Sequence, residues 1–510
     1  MGTRSSNTLI TERMEARLPM ETGLPGWDGV SLHAGSPGVP LHAVAVLTME
    51  ASGGISHQRL RELVASRLAR MARFRSRLVG KPLGLGQPVW GEIDRYDPTP
   101  QIHSTTVGSS NGGSEFAELI DELAAREMDR RAPLWEAWTV DGLVGNRWAL
   151  AVTVSPAVID GIAEGVAAMW AQLLAPDQHG EPTNLVIVEA GPGALPSVGE
   201  LIADTVLELW ENSLLGAWLI ATAMPAAVQA AGRLFFGGGP ESPQGESSIS
   251  APASSTVFSA HLTARRAVGL ASVKLSHLKA IAYAFGSSVS NVALTACALS
   301  LRTWLRHHDS PLDHPLVMEV PLSLFKADST DASARVGFPV HSDDPVQVLL
   351  DLHAATDGLT ADRQDTVVAG QAVDIGQLAA LLPPSVVHAG IALSTRLPWR
   401  PGPTCHGVVS YVPGPSRASY CAGSRVVGMH TVTPLADGSG LGITLTRHGE
   451  VLDLAVCVCP DNVPGVQDLA TGIVESVDIL LAAAQQSPRG QGPSVITRLT
   501  QRAEYRRHLH

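Results

Sequence analysis

Three short patterns in this 510-residue sequence carry residue types that could do chemistry. Residues 108–112 read GSSNG, the pattern of a serine nucleophile at a sharp turn, but the segment before them is half polar and favours a plain loop. Cys457 and Cys459 could present two thiolates to zinc, yet no second pair has ligand spacing, which favours buried strand cysteines. His307 and His308 lie in a polar connection, which predicts a solvated turn.

A fourth pattern follows an apolar run. Residues 148–154 (WALAVTV) are bounded by Gly-Asn before and Ser155-Pro156 after, which predicts a buried strand. Pro156 has no backbone N–H and restricts the residue before it to extended geometry, so the strand should end there. The heptapeptide SPAVIDG fills residues 155–161, and 162–174 has the spacing of a helix. The sequence therefore predicts a strand, a turn and a helix over residues 148–174.

Further elements frame this unit. Residues 43–49 predict a short buried strand, and Ser56 precedes a segment with helical spacing of its leucines. Residues 290–306 predict a helix and 316–324 a strand. Four short apolar segments follow towards the C-terminus, HGVVSYVPGP, RVVGMHTVTPLADGSG, LGITLTRHG and EVLDLAVCVCP, and they indicate a β-rich region. The alternation of strands and helices predicts an α/β protein.

Composition narrows the class of protein. Hydrophobic residues make up 45% and charged residues 16%, against a usual charged share of about 25%. The formal net charge is −12, which excludes a basic field for nucleic acid, and the five cysteines do not form a disulfide scaffold. A large apolar interior and a reducing, cytoplasmic location are therefore expected.

Changes in composition along the chain divide it into four parts. We expect an N-terminal domain over 1–190, a helical apolar segment with a Gly/Pro/Ser linker over 191–255, a C-terminal domain over 256–488 and a basic tail over 489–510. Within the second part, 212–232 has no charged residue, which favours a buried or membrane-surface helix pair over a membrane span.

Several segments, in order and spacing, resemble the bacterial wax ester synthase/diacylglycerol acyltransferase family over about residues 20–485. In that family the turn after the strand carries His-His-x-x-x-Asp-Gly. The segments that carry the resemblance are 72–90, 128–154, 155–161, 287–305, 410–428 and 434–445.

The resemblance implies two chloramphenicol acetyltransferase-like α/β sandwich domains packed across a central tunnel. It also implies transfer of a fatty acyl group from acyl-CoA to a diacylglycerol or a fatty alcohol, without a metal or bound cofactor. The second histidine of the family motif would remove the proton of the attacking hydroxyl. Acyl-CoA and a lipid alcohol are thus the expected partners, with a membrane or lipid-droplet surface as a further candidate and no nucleic acid.

The sequence lacks the two histidines of the family motif. The two histidines fall on Ser155 and Pro156, whereas Asp160 and Gly161 are kept. By analogy with relatives of the fold, Asp160 would pair with an arginine and fix the loop, and Arg75 is the suggested partner.

Other positions of the family's motifs also differ in this sequence. Two histidines are candidates for the base that the motif has lost. The family's Asn-Asp pair reads Ser290-Asn291, and two further asparagines are replaced by Tyr411 and Gly442. His42 lies in a segment that matches the family and is a candidate substitute base. His103 is the other candidate.

Three hypotheses remain open from the sequence. The first is a divergent acyl-CoA-dependent O-acyltransferase, making triacylglycerol or wax ester, whose chemistry is in question because Pro156 replaces the histidine. The alternative is a non-catalytic acyl-CoA or lipid-binding pseudoenzyme, or a regulatory partner of an active relative. The third is a membrane-surface scaffold that uses 212–232 and the arginine-rich helix after Ser56.

Overall fold

The described residues of the computed structural model cover ten stretches of the chain, 40–51, 55–80, 88–93, 96–108, 112–159, 161–177, 256–325, 333–361, 405–436 and 438–486. Asp160, the segments 191–255 and 212–232, and the tail over 489–510 lie outside them. Among these stretches no single helix has the length and apolarity to cross a membrane, although the bent pair Leu275–Phe285 and Val289–His307 meets that criterion when taken together.

The secondary structure alternates strands and helices, as the sequence predicts. The helices are α1 (His57–Leu68), α2 (Gly112–Ala125), α3 (Ile162–Leu173), α4 (Leu275–Phe285), α5 (Val289–His307), α6 (Pro345–Ala361) and α7 (Val466–Gln486). The strands are β1 (Ala43–Glu50), β2 (Ser76–Val79), β3 (Val89–Glu92), β4 (Ile102–Thr106), β5 (Trp135–Leu143), β6 (Arg147–Val154), β7 (Leu174–Ala175), β8 (Ala267–Lys274), β9 (Leu316–Pro321), β10 (Ser333–Phe338), β11 (Gly407–Val412), β12 (Tyr420–Cys421), β13 (Ser424–Val432), β14 (Leu441–His448) and β15 (Val451–Val458).

Two large sheets organise the described part of the chain. The seven-stranded sheet has the order β4-β5-β6-β1-β13-β12-β7, and the six-stranded sheet has the order β10-β9-β11-β14-β15-β8. Strands β2 and β3 form a separate hairpin. In the second sheet β14 lies between β11, to which it is parallel, and β15, to which it is antiparallel.

Strand β1 lies at the centre of the first sheet, antiparallel to β6, with Ala43 opposite Val154. Nearly all its residues are buried, because both faces of the strand are covered. Ala43 and Ala45 pack into a core with α1 and α3, whereas Val44 and Val46 pack against residues of the other half. The second face of this sheet therefore helps to join the two halves.

Two strands from the C-terminal half belong to the first sheet. β13 pairs antiparallel with β1, Val44 lying opposite Val432, and β12 pairs with β7. Among the described residues, the other strands of the first sheet precede residue 178, and those of the second sheet follow residue 256. Local sequence patterns predict a strand but not its partner, so this crossing had no signal in the sequence.

The elements around the candidate site agree with their sequence signals. The predicted strand over 148–154 is β6, and the predicted helix over 162–174 is α3. The predicted helix over 290–306 is α5, which is buried on all sides from Asn291 to Leu301 in the C-terminal core. The predicted strand over 316–324 is shorter, since it ends at Pro321 and continues as a 3-10 turn.

Candidate functional site

The turn after β6 is held by its own backbone. The Ser155 N–H donates to the Leu134 carbonyl oxygen at 3.0 Å, and the Val158 N–H donates to the Ser155 carbonyl oxygen at 2.9 Å. Ser155 is buried and Pro156 is half-buried. Pro156 offers neither a titratable group nor an N–H, so the position that carries the base in the family motif has no acid–base chemistry here.

Gly161 is the N-cap residue of α3 and has φ 74° and ψ 145°, a conformation that disfavours any side chain. It precedes the first turn of the helix, and the Gly165 N–H donates to its carbonyl oxygen at 3.0 Å. A β-carbon added at Gly165 would lie 2.4 Å from the β-carbon of Ile159, so the helix approaches the turn closely. Gly161 of the motif thus has a structural reason to be kept.

Arg75 is buried in the short 3-10 turn before β2. Its guanidinium contacts the Glu92 carboxylate and donates to the carbonyl oxygens of Arg70 at 3.0 Å and Ala69 at 3.4 Å. The suggested partner Asp160 lies outside the described residues, so that pairing stays a prediction.

A different arginine contacts the turn directly. Arg73 donates from Nη1 to the carbonyl oxygen of Ala157 at 3.1 Å, and its guanidinium lies 5.9 Å from the ring centroid of Trp90. Sequence reasoning counted Arg73 in the arginine-rich segment after Ser56, as a solvated face or an anion site, and did not place it at the turn. The available signal was its position in the ARFRSRL segment, two residues before Arg75.

His42, the first candidate substitute base, is buried where β1 begins. Its Nε2 bonds the Leu123 carbonyl oxygen at 2.7 Å, and since a carbonyl only accepts, Nε2 carries the proton. Burial lowers the pKa of His42, partly offset by this hydrogen bond. Because Ala43 pairs with Val154, the strand register brings His42 to the same end of the sheet as Ser155.

His103, the second candidate, lies on the edge strand β4 of the first sheet. Its ring centroid is 4.5 Å from that of Trp138, and its Nε2 is 3.8 Å from a Glu136 carboxylate oxygen. Burial lowers the pKa of His103, and the Glu136 charge acts in the opposite direction. Strand β5 separates it from β6, so the structure does not bring His103 to the turn.

A cavity of about 530 Å³ lies where α3 meets the C-terminal half. Ala163 and Glu164, in the first turn of α3, form one side of it. The other side comes from α4, α5, the 3-10 turn after β9, and the strands β11, β14 and β15. Its remaining lining residues are Leu275, Lys279, Val289, Ser290, Ala293, Ser323, Leu324, Phe325, Tyr411, Pro413, Leu445, Arg447 and Leu452.

Two of the family positions noted in the sequence meet in this cavity. Ser290 donates from its hydroxyl to the Leu324 carbonyl oxygen at 2.7 Å. Tyr411 lies on β11, and burial raises the pKa of its hydroxyl while the positive charge of Arg447 acts in the opposite direction. The structure thus brings Ser290 and Tyr411 together with the helix that follows the Ser155–Gly161 turn.

Asn291 and Gly442 do not line the cavity. The Asn291 side-chain amide bonds His353 Nδ1 at 3.1 Å and accepts from the Thr356 hydroxyl at 3.0 Å, joining α5 to α6. A β-carbon at Gly442 would lie 3.1 Å from the Thr433 hydroxyl oxygen. These two positions therefore serve packing between elements.

A buried cluster that the sequence did not reveal lies between β13 and the second sheet. The fully buried Asp453 carboxylate accepts from the Ser272 hydroxyl at 2.5 Å and the Met429 N–H at 2.8 Å. His430 Nε2 and His448 Nδ1 lie 3.9 Å and 3.8 Å from its two oxygens. Burial lowers the pKa of both histidines, and the Asp453 charge opposes this.

The patterns that the sequence interpreted as structural are so in the described residues. Cys457 and Cys459 are free and buried in the core between the halves, and burial raises the pKa of Cys457 to about 12. His307 is the last residue of α5, and His308 follows it in an exposed turn and stacks on Trp304 at 4.0 Å between ring centroids. Residues 109–111 of the GSSNG pattern lie outside the described part. No group of three or more His, Cys, Asp or Glu residues suited to a metal ion occurs in the described stretches.

The chemistry available in the cavity comes from four titratable side chains among the described lining residues: Glu164, Lys279, Tyr411 and Arg447. No histidine is among those residues. The cavity can hold an apolar chain with a polar end, while a positioned imidazole base is missing from its described lining.

The fold has two halves, each an α/β sandwich, and the strands β12 and β13 join them. This arrangement defines a protein with two chloramphenicol acetyltransferase-like domains. A solved structure, the wax ester synthase/diacylglycerol acyltransferase from Marinobacter aquaeolei VT8, is similar to it with a TM-score of 0.64 and 22% identity. That similarity covers 91% of this chain and 100% of the other.

Sequence profiles assign the family. The profile of the wax ester synthase/diacylglycerol acyltransferase catalytic domain matches residues 24–293, and that of the WS/DGAT C-terminal domain matches 332–480. The chain therefore belongs to the wax ester synthase/diacylglycerol acyltransferase family.

Two relatives come from Mycobacterium tuberculosis (strain ATCC 25618 / H37Rv), and both bear the name "Putative diacyglycerol O-acyltransferase". One is 27% identical over 489 residues, covering 92% of this chain and 91% of the relative. The other is 26% identical over 479 residues, covering 90% and 96%.

Proposed function

We propose that this chain binds a long-chain acyl thioester and a lipid alcohol in the cavity between its halves, and that it lacks the imidazole-dependent transfer step of its family. The observation that carries the proposal is Pro156, which occupies the position of the family's base in the turn after β6. The described lining of the cavity, which offers Glu164, Lys279, Tyr411 and Arg447 but no imidazole, supports it.

The chemical argument concerns the proton of the acceptor hydroxyl. An alcohol attacks a thioester efficiently only as a base removes its proton, and a positioned base contributes about 10²–10⁴-fold in rate. The Ser155 hydroxyl cannot take that role, because it ionises far above working pH. His42 is a weaker base than an ordinary imidazole, because burial lowers its pKa; its Nε2 donates to Leu123, which leaves Nδ1 as its basic atom. Turnover is then limited to what proximity and orientation provide.

The cavity has the properties of an acyl site. Its wall is mostly aliphatic and aromatic, and it lies directly after the turn that carries the family motif. Its volume falls within the roughly 300–1,000 Å³ that small-molecule sites occupy. Family membership supplies the substrate class, an acyl-CoA and a diacylglycerol or fatty alcohol.

Binding of labelled long-chain acyl-CoA to the purified full chain, measured by equilibrium dialysis, tests this proposal. Val289→Trp places a large ring in the cavity from a half-buried position and should weaken binding roughly tenfold or more, since it removes ligand volume. Val144→Trp, at a site 61% exposed in the β5–β6 turn, is the matched control and should bind as the unmodified chain does. Equal binding by all three proteins would contradict this location.

A further inference from the structure

Arg447 places a half-buried positive charge in the cavity. It lies near the end of β14 on the same face as Leu445, and both residues line the cavity. The Arg447 side chain is half-buried, and its Nε is buried with no hydrogen-bond partner among the described residues. A buried guanidinium N–H without an acceptor costs free energy, so an acceptor that a ligand brings would be favoured at this position.

Tyr411 stands beside that guanidinium. In the parallel pair of β11 and β14, Tyr411 lies opposite Leu445, which places Arg447 one diagonal step away on the same face. Both side chains line the cavity. The hydroxyl is a second donor, so the pair offers an arginine fork and a phenol to one anionic group.

The backbone adds positive potential. The first turns of three helices line the cavity, α3 through Ala163 and Glu164, α4 through Leu275, and α5 through Val289 and Ser290. A helix N-terminus carries a partial positive charge and favours an anion nearby. Neither α3 nor α4 has a side-chain cap on its first turn.

The other charges of the cavity belong to exposed residues. Lys279 is exposed and its Nζ lies 3.1 Å from a Glu450 carboxylate oxygen, while Glu164 is exposed in the first turn of α3. Arg447 is thus the half-buried charge among the described lining residues. The wall around it is apolar and consists of Leu275, Val289, Ala293, Leu324, Phe325, Leu445 and Leu452.

We propose that this cavity binds a free long-chain carboxylate, a fatty acid, whose carboxylate is held by Arg447 and Tyr411 while its chain lies along the apolar wall. The inference rests on the proposed function only in using the same cavity. One planar guanidinium matches the two oxygens of a carboxylate, whereas a diphosphate carries more charge than a single half-buried cation compensates. A fatty acid therefore competes with the acyl thioester for this wall.

Equilibrium binding of a labelled C16 fatty acid, its methyl ester and the C16 alcohol tests this assignment on the full chain. The unmodified protein should bind the acid roughly tenfold or more tightly than the ester or the alcohol, because only the acid offers a charged acceptor. Arg447→Gln should remove this preference, Arg447→Lys should keep part of it, and Tyr411→Phe should weaken the acid alone. Arg425→Gln, at an exposed position of β13, is the matched control. Far-ultraviolet circular dichroism and urea unfolding confirm that each variant is folded.

The outcomes separate the two proposals. An acid preference that Arg447→Gln abolishes and Arg425→Gln leaves intact supports the carboxylate site. Equal binding of acid and ester by the unmodified chain, or an undiminished preference in Arg447→Gln, overturns it. If acyl-CoA binds but the acid has no preference, the proposed function stands and this inference fails. If the acid binds through Arg447 but acyl-CoA does not bind, the inference stands and the proposed function fails.

Discussion

The backbone N–H of Ser155 donates to the carbonyl oxygen of Leu134 over 3.0 Å, which extends the pairing of β5 and β6 by one residue beyond the end of β6. Trp135, next to Leu134, is fully buried, and its indole N–H donates to the Phe74 carbonyl oxygen at 2.7 Å. The turn to which the family's two histidines map is therefore anchored at its first residue without them. Pro156 follows immediately, at the position of the missing base.

This anchoring predicts that the motif can be restored without loss of fold. Ser155→His combined with Pro156→His should raise acyl transfer above the unmodified chain, by at most about the 10²–10⁴-fold that a positioned base contributes. We expect the gain to be partial, because Ser290, Tyr411 and Gly442 also depart from the family. Initial rates with labelled acyl-CoA and a lipid alcohol measure it.

The matched control for that experiment is Ser155→Ala with Pro156→Ala. It removes the proline ring and the hydroxyl but introduces no imidazole, so its rate should equal that of the unmodified chain. No gain in the histidine variant, with the fold intact, would mean that the turn does not face the reacting atoms.

Arg75 is predicted to act on stability. Arg75→Met leaves the Glu92 carboxylate and two backbone acceptors without their donor in a largely buried place. Such a loss costs about 1–3 kcal/mol of the free energy of unfolding. Urea unfolding measures it, and Arg147→Met, at an exposed position at the start of β6, should change little. Equal effects of both variants would argue against this role.

The buried cluster around Asp453 predicts a pH dependence of stability. Burial holds the pKa of His430 and His448 below the ordinary 6.5 in the folded chain. The unfolded chain then binds more protons as pH falls below about 6.5, so the free energy of unfolding should decrease through that window. His430→Gln should make this acid-side decrease shallower. Urea unfolding from about pH 7.5 to pH 5 measures the slopes. An identical slope in the variant would contradict this assignment.

Replacing Gly442 by the asparagine of the family is expected to destabilise the fold. A β-carbon there would lie 3.1 Å from the Thr433 hydroxyl oxygen and 3.3 Å from Leu435 Cδ2, which is tighter than ordinary contact. Gly442→Asn should therefore lower the free energy of unfolding by about 1–3 kcal/mol through overpacking. Gly80→Asn, where nothing lies within 4 Å of an added β-carbon, is the control. A neutral effect at Gly442 would show that Thr433 and Leu435 give way.

The local elements around the site follow from the sequence because their signals are local. An apolar run bounded by Gly-Asn and Ser-Pro specifies β6, and helical spacing specifies α3 and α5. Composition indicated two domains, and the resemblance to the family added their chloramphenicol acetyltransferase-like fold, which no periodicity contains.

What the sequence could not give is the set of contacts between distant elements. Asp453 on β15 lies near His430 because β13, which carries His430, belongs to the first sheet and packs against the second. The residue pattern of a strand does not predict which strands it will pair with or pack against. The available signals were a charge within the apolar strand β15 and a charge at the end of β14, namely Asp453 and Arg447. The cavity, likewise, exists only once α3 meets the second sheet.

The rate of acyl transfer by the purified full chain, with saturating labelled acyl-CoA and excess diacylglycerol or fatty alcohol, tests the central claim most directly. We predict that acyl-CoA binds while transfer stays far below the roughly 1–10³ s⁻¹ of ordinary enzymes, with no rise in rate as an imidazole loses its proton. Transfer within that range, abolished by replacing one histidine such as His42, would contradict the claim that Pro156 has removed the family's base.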